Sequence, residues 1–301
     1  MTPLLLLLLA DPISPIDPRL TIDEAFDFEP TPTPVDLLVV VAHPDDESTF
    51  GALIPHYALC RGKSVQFVSM TSGEWGNGLP HHAEGETPDY SYDDADVPRY
   101  EGVPEDATYP SWYREHELTR MLQTAGVRTR PLLPRFPDRS GLQPWGQPDA
   151  AFALWGGKER TVGYLVEQIR RLRPGVVVTM AYDGYNNNPQ HMAAGHGTIA
   201  AVEAAADAAS YPESAAAHGA WEVKKLYLAV TPERETYETV HRHDWVPCGP
   251  TDPRAIAAKA NAMHASQQMP EECPESSEFV LRLSTVGPDE VGENDLFENV
   301  E

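Results

Sequence analysis

The chain has 301 residues, 41% of them hydrophobic, which is enough to bury a substantial core and too many for a disordered chain. A formal net charge of -24 at pH 7 excludes nucleic acid as a partner, because a phosphate backbone would be repelled, and it disfavours an anionic membrane surface. Such acidity fits a high-salt source or an ordinary acidic soluble protein.

Residues 4–9 are an unbroken run of six leucines. The run lacks a basic flank and is too short to span a bilayer, so it reads as an apolar segment packing on the body, with secretion as the alternative. From Asp11 to Pro34 the chain is rich in Pro and Asp and reads as an irregular arm. Order begins abruptly at residues 35–42 (VDLLVVVA), a continuous β-branched run of the kind buried on both faces of a parallel sheet. Residues 47–60 read as the helix after it, and 64–70 (SVQFVSM) as the second strand. A helix is expected over 111–125, with Leu118, Met121 and Leu122 on one face and Gly126 as its C-cap. Residues 130–136 are a strand candidate despite their prolines.

A further helix over 161–173 ends at Pro174 and Gly175, and 176–180 (VVVTM) is another buried strand. The Ala-rich stretch 193–210 reads as a helix, 224–230 (KKLYLAV) as a strand and 253–268 as a late helix; the acidic tail from Gly287 reads as loose. Strands alternating with helices predict an α/β fold, a doubly wound, mostly parallel, Rossmann-like sheet with long loops at its carboxyl edge. Those loops are 74–110 and 138–157, and loops of that length commonly shape a pocket. One domain over 35–286 is expected, with an arm at 1–34 and a tail at 287–301. The three cysteines, Cys60, Cys248 and Cys273, form no paired motif; they predict neither a disulfide framework nor cysteine metal ligands, and they suit a reducing, cytoplasmic location.

The chemistry concentrates in Ala42-His43-Pro44-Asp45-Asp46-Glu47, where the first buried strand ends. In a doubly wound sheet ligands bind beyond the carboxyl ends of the strands, near the point where strand order reverses. His43 and Asp46 are three residues apart, so one turn could bring both to one metal, with Asp45 left to face the attacking water. A catalytic zinc takes three protein ligands, and the loop after VVVTM supplies a third in His191. The competing reading is a buried strand-end imidazole beside acidic residues that complement a helix N-terminus.

These residues resemble the LmbE-like (PIG-L) deacetylases, which hydrolyse N-acetyl groups from glucosamine derivatives. AHPDDE is similar to that family's signature, and weaker likenesses follow in the family order from about Val35 to about Gln268. They are Ser72-Gly73-Glu74, Arg114 and Glu117 in WYREHEL, Phe136 to Gly141, and Ala262-Met263-His264-Ala265-Ser266-Gln267. The resemblance implies one Zn2+ per chain on His43, Asp46 and His191, with Asp45 as general base. It also implies substrate contacts by Arg114, for which a helix pair with Glu117 is the alternative. Asp138 would orient a ligand or a substrate hydroxyl, or simply form a turn. His264 reads as a packing residue.

At one place the chain departs from the family. The second motif is usually His-Pro-Asp-His, and here it is Asn188-Pro189-Gln190-His191. An amide can donate a hydrogen bond to an oxyanion but cannot transfer a proton. Asn188 is therefore taken as a catalytic hydrogen-bond donor, and Tyr182 and Tyr185 as further candidates for contact with substrate or oxyanion. The implied partner is a small-molecule N-acetyl amino sugar or its conjugate, with no nucleic acid, no membrane, and homo-oligomerisation left open. Acidic residues of the first loop, Glu84, Glu86, Asp93 and Asp94, suit a neutral or cationic acceptor. The alternatives are an amidase of the same site cleaving a larger acyl group or a thiol conjugate, and an impaired carbohydrate-binding protein. A dinucleotide site is excluded, because no G-x-G-x-x-G follows the first strand.

Overall fold

In the computed structural model, which describes residues 21–74, 111–139, 141–230, 240–264, 266, 267, 269, 272–287 and 295–300, the first apolar run becomes β1 (Leu37–Val41), buried at every position. A strand apolar on both faces needs partners on both edges and cover on both sides. β2 (Val65–Ser69) and β3 (Val176–Thr179) supply the edges, both parallel to β1, with Val39 opposite Phe67 on one side and Val178 on the other. β4 (Lys225–Val230) continues the parallel sheet, and β5 (His241–Asp244) and β6 (Ser276–Ser284) add antiparallel strands in the order β2-β1-β3-β4-β6-β5. The sheet is mostly parallel as expected, and its order reverses between β1 and β3.

The helices in chain order are α1 (Ile22–Ala25), α2 (Leu53–Pro55), α3 (Ser111–Thr124), α4 (Asp149–Leu154) and α5 (Lys158–Leu172). After them come α6 (Gly184–Asn187), α7 (Pro189–Ala205), α8 (Pro212–His218) and α9 (Pro253–Asn261). α7 lies against β1, β3 and β4 and is covered in turn by α5, while α3 meets α1 and α9. As its spacing predicts, α3 buries Leu118, Met121 and Leu122 and ends before Gly126, whose φ of 94° suits glycine.

Several expectations need correction. The helix expected over 47–60 is broken into a 3-10 turn (Asp46–Phe50), α2 and a wide turn (His56–Cys60), because Gly51 at φ 62° turns the chain and Pro55 lacks an N–H. Residues 130–136 form no strand: prolines at 131 and 134 remove donors, leaving a single bridge from Leu132 to Val68. The helix read over 193–210 is α7, displaced towards the N-terminus, and the one over 253–268 stops at Asn261. β5 and β6 were not anticipated; β5 (HRHD) is too polar to read as a strand, and β6 shows only a short alternation that buries Ser277 and Phe279.

The tail is not loose where it is described. Leu296 and Phe297 are buried, and Leu296 N–H donates to the Tyr57 hydroxyl at 2.7 Å. The arm docks too: α1 buries Ile22, and Asp23 pairs with Arg130. Cys60 and Cys248 form a disulfide across 188 residues, a pairing that spacing could not reveal, and Cys273 is free and buried. Residues 75–110, which carry most of the first predicted loop together with His81 and His82, lie outside the described residues, as does the leucine run. No helix among the described residues is long and apolar enough to cross a membrane.

One buried charge ties α5 to the end of α7. The Arg170 side chain is fully buried and donates to the carbonyls of Ala204, Ala205, Asp207, Ser210 and Tyr211 at 2.7 to 3.1 Å. The carbonyls that a helix leaves unpaired at its C-terminus attract a cation, so this site is built for a guanidinium. Arg170→Met is expected to cost about 3 kcal/mol, since it removes the five hydrogen bonds of a fully buried guanidinium while most of these carbonyls keep a backbone donor. Urea unfolding measures this; a midpoint within 0.2 M of wild type at equal slope would show the cluster to be idle.

Candidate metal centre and active site

β1 and β3 run side by side, and their carboxyl ends open where the strand order reverses. His43 and Asp46 follow β1. The Asp46 carboxylate folds back onto the incoming chain, accepting from Ala42 N–H at 3.0 Å and His43 N–H at 2.8 Å. His191 comes from the first turn of α7. That helix approaches the end of β3 because Gly195 has no side chain: a Cβ there would lie 2.9 Å from the Met180 carbonyl oxygen. Gly184, at φ 66°, presents its carbonyl to His191 Nδ1 at 3.0 Å. A carbonyl only accepts, so Nδ1 carries the proton and the Nε2 lone pair faces the crevice.

Three donor groups converge there. His191 Nε2 lies 3.1 Å from His43 Nδ1 and 3.2 Å from Asp46 Oδ1, and His43 Nδ1 lies 3.5 Å from Asp46 Oδ2. All three residues are buried. Zinc held tetrahedrally at about 2.0–2.1 Å separates its ligands by roughly 3.3 Å, so the donor set fits that ion in spacing and in chemistry. The far nitrogen of each imidazole is also engaged, His191 with Gly184 and His43 Nε2 with Asp138 Oδ1 at 3.4 Å. Such outer partners are how metal-binding histidines are oriented. Burial alone would lower the His43 imidazole, but Asp138 and Asp46 hold its pKa well above the usual value. Burial opposes ionisation of Asp46, yet His191 and His43 hold it well below the carboxylate range.

Asp45 stands beside this triangle, with its backbone at φ 141°, a conformation few residues other than glycine adopt. Two anchors hold it there. Its N–H donates to Glu47 Oε2 at 3.1 Å, and Arg114 Nη2 reaches Asp45 Oδ1 at 2.8 Å. Burial raises the Asp45 carboxyl above its ordinary value, against the pull of Arg114. Glu47 is itself gripped by His264 Nε2 at 2.6 Å. Arg114 is buried and also donates to the carbonyls of Pro44 and Gly73, so it is no solvated helix arginine. Glu117 turns elsewhere, accepting from Ser266 N–H and Oγ–H at 2.8 and 2.6 Å.

The centre forms the floor of a cavity of about 350 Å³ lined by His43, Asp45, Asp46, Arg114, Asp138, Asn188 and His191, with Arg139, Leu142, Trp145 and Gln267 among its walls. Asn188 caps α7, its side-chain oxygen accepting from Gln190 N–H at 2.8 Å, which leaves the amide NH2 as the donor. Tyr185 is not brought in: it is exposed and does not line the cavity. Tyr182 stacks on His196 instead, at 4.0 Å between ring centroids. Sequence reasoning overlooked Trp145 and Leu142, although both lie in the second loop it had marked. Glu74, named in the resemblance but given no role there, is a buried carboxyl pushed up to about 7 by burial, and it accepts from Asp138 N–H.

Residues 38–202, more than half of the chain, match the PIG-L family, described as GlcNAc-PI de-N-acetylase. A 1D-myo-inositol 2-acetamido-2-deoxy-alpha-D-glucopyranoside deacetylase from Streptomyces avermitilis is 36% identical over 196 residues, 64% of this chain and 60% of that protein. The chain spans about 60% of the length of the curated relatives it matches. Among solved structures, N,N'-diacetylchitobiose deacetylase from Pyrococcus horikoshii aligns with a TM-score of 0.55 at 15% identity, over 82% of this chain and 83% of that one. GalB, the 4-carboxy-2-hydroxymuconate hydratase from Pseudomonas putida KT2440, aligns at 0.52 and 16%, over 84% and 98%. At such identities the likeness is one of fold, and a deacetylase and a hydratase share it, so the fold alone selects no reaction.

Proposed function

Since this chain belongs to the PIG-L (GlcNAc-PI de-N-acetylase) family, we propose that it is a zinc-dependent hydrolase removing the N-acetyl group from an N-acetylglucosamine-type sugar. What carries the reading is the donor triangle of His43, Asp46 and His191, spaced for zinc and set beside an anchored, partly exposed carboxylate in a sugar-sized cavity. His43, Asp46 and His191 would hold the ion. When bound, zinc lowers the pKa of a water and polarises an amide carbonyl.

The chain's own residues do the rest. Asp45 has one oxygen on Arg114 and the other free, and it takes the proton of the attacking water. The water oxygen bonds to the acetyl carbon, and the Asn188 NH2 donates to the carbonyl oxygen as charge builds there. Asp45 then returns its proton to the sugar nitrogen as the carbon–nitrogen bond breaks, releasing acetate and a free amine. Arg114 keeps Asp45 aimed, and Asp138 keeps the His43 ring from turning. In this scheme residues 35–286 are the catalytic unit, and the arm and tail brace it. On location, the Cys60–Cys248 disulfide favours an oxidising compartment over the cytoplasm.

Protein loaded with one equivalent of zinc is expected to release acetate and primary amine in equal amounts from N-acetylglucosamine or a conjugate of it. Chelation should abolish the release and added zinc restore it. Amine release that ignores chelation would remove the metal from the reaction, and cleavage only of longer acyl amides would favour the amidase alternative.

A further inference from the structure

At the mouth of the cavity an indole stands in solvent. Trp145 is 49% exposed, although a large apolar side chain gains more by burial than by any surface position. Its ring is not loose. The indole Nε1–H donates to the Asn186 carbonyl at 3.2 Å, and the next residue, Gly146, donates its N–H to the Asn187 carbonyl at 2.9 Å. These two bonds sew the second loop to the segment that delivers Asn188 and His191. The indole thus uses its single donor to fix its orientation, and its apolar face is held ready beside the reaction centre.

An exposed, oriented aromatic face at a cavity whose remaining walls are mostly polar suits a ligand with one apolar face and a polar rim. A pyranose is such a ligand: its ring C–H groups form an apolar face, and its hydroxyls point outward around it. The exposed Arg139, which also lines the cavity, offers hydrogen-bond donors at the rim. We propose that Trp145 is the platform on which the sugar ring of the substrate stacks, setting selectivity for a cyclic sugar amide over an acyclic one. The proposal rests on the reaction assigned above and adds the residue that recognises the ring.

The test compares N-acetylglucosamine with the ringless N-acetylethanolamine. In Trp145→Ala the ratio of kcat/KM for the ring amide to that for the ringless one should fall about tenfold, the size of one aromatic contact. Trp145→Phe keeps a ring but loses the Asn186 bond, and it should hold the ratio within about threefold of wild type. Calorimetric titration of zinc-loaded Asp45→Asn protein with N-acetylglucosamine should show the same tenfold loss of affinity when Trp145→Ala is added. An unchanged ratio and affinity in Trp145→Ala would overturn the platform, as would an equal loss on both amides, which marks a merely structural role. Trp145-dependent binding of the sugar without any acetate release would keep the platform and discard the reaction. No binding and no release by the wild-type protein would overturn both.

Discussion

His191→Ala is expected to leave the protein folded but unable to retain zinc through dialysis, with stoichiometry falling from about one to near zero and turnover lost with it. His191 Nε2 is the corner of the donor triangle nearest to both partners, at 3.1 Å from His43 and 3.2 Å from Asp46. Without it two donors remain, and the ion loses a ligand held in a fixed direction by the Gly184 carbonyl. Among the described residues no other imidazole joins the donor cluster. His196, four residues on in sequence plus one, stacks on Tyr182 and binds that residue's carbonyl at 2.7 Å. The fold should survive, because α7 is secured by its buried packing and by Gly195 rather than by the imidazole. Elemental analysis alongside circular dichroism decides the matter. Stoichiometric zinc at wild-type affinity in a folded His191→Ala protein would mean that the third donor lies elsewhere.

Asp45→Asn should do the opposite, keeping zinc and losing turnover by a factor of order 10³ to 10⁴, within the range that proton transfer supplies. The substitution changes charge without changing shape. An Asn oxygen can still accept from Arg114, and the backbone N–H can still donate to Glu47, so the strained turn and the neighbouring triangle should persist. What is lost is the ability to take a proton from water and give it to nitrogen. Because burial raises the Asp45 carboxyl, the wild-type rate should fall as pH drops and this group becomes protonated; the residual rate of Asp45→Asn should lack that limb. Zinc content and a pH profile of the same preparation give the answer. Joint loss of zinc and activity would put Asp45 among the metal ligands, and near-normal turnover would end its role as base.

The reach of the sequence follows from what each feature depends on. β1, β2, β3 and β4 could be read because their burial on both faces demands mostly apolar, β-branched or aromatic runs, unbroken only in β1, and α3 and α5 because an amphipathic helix repeats its buried positions along one stripe. The donor set was legible for a related reason. His43 and Asp46 sit within one turn at a strand end, and His191 follows the strand that a doubly wound order places next to it. These are local properties joined by one topological rule.

What sequence could not yield depends on contacts between distant segments. β5 pairs only because β6 lies beside it, and the broken helix after β1 follows from Gly51 and Pro55 rather than from its apolar spacing. Cys60 meets Cys248, Glu47 meets His264, and Arg114 meets Asp45 across 188, 217 and 69 residues, separations at which spacing carries no signal. Arg114 shows the physical reason well. On a helical wheel it is one more cation with an acid three residues on, and its stem and charge suit solvent as readily as a site. Only the folded chain desolvates it, and a buried guanidinium must find oxygens; those within reach are the Pro44 and Gly73 carbonyls and the Asp45 carboxylate. The types of chemical group in this site were therefore set by local sequence, and their aim was set by the tertiary packing around them.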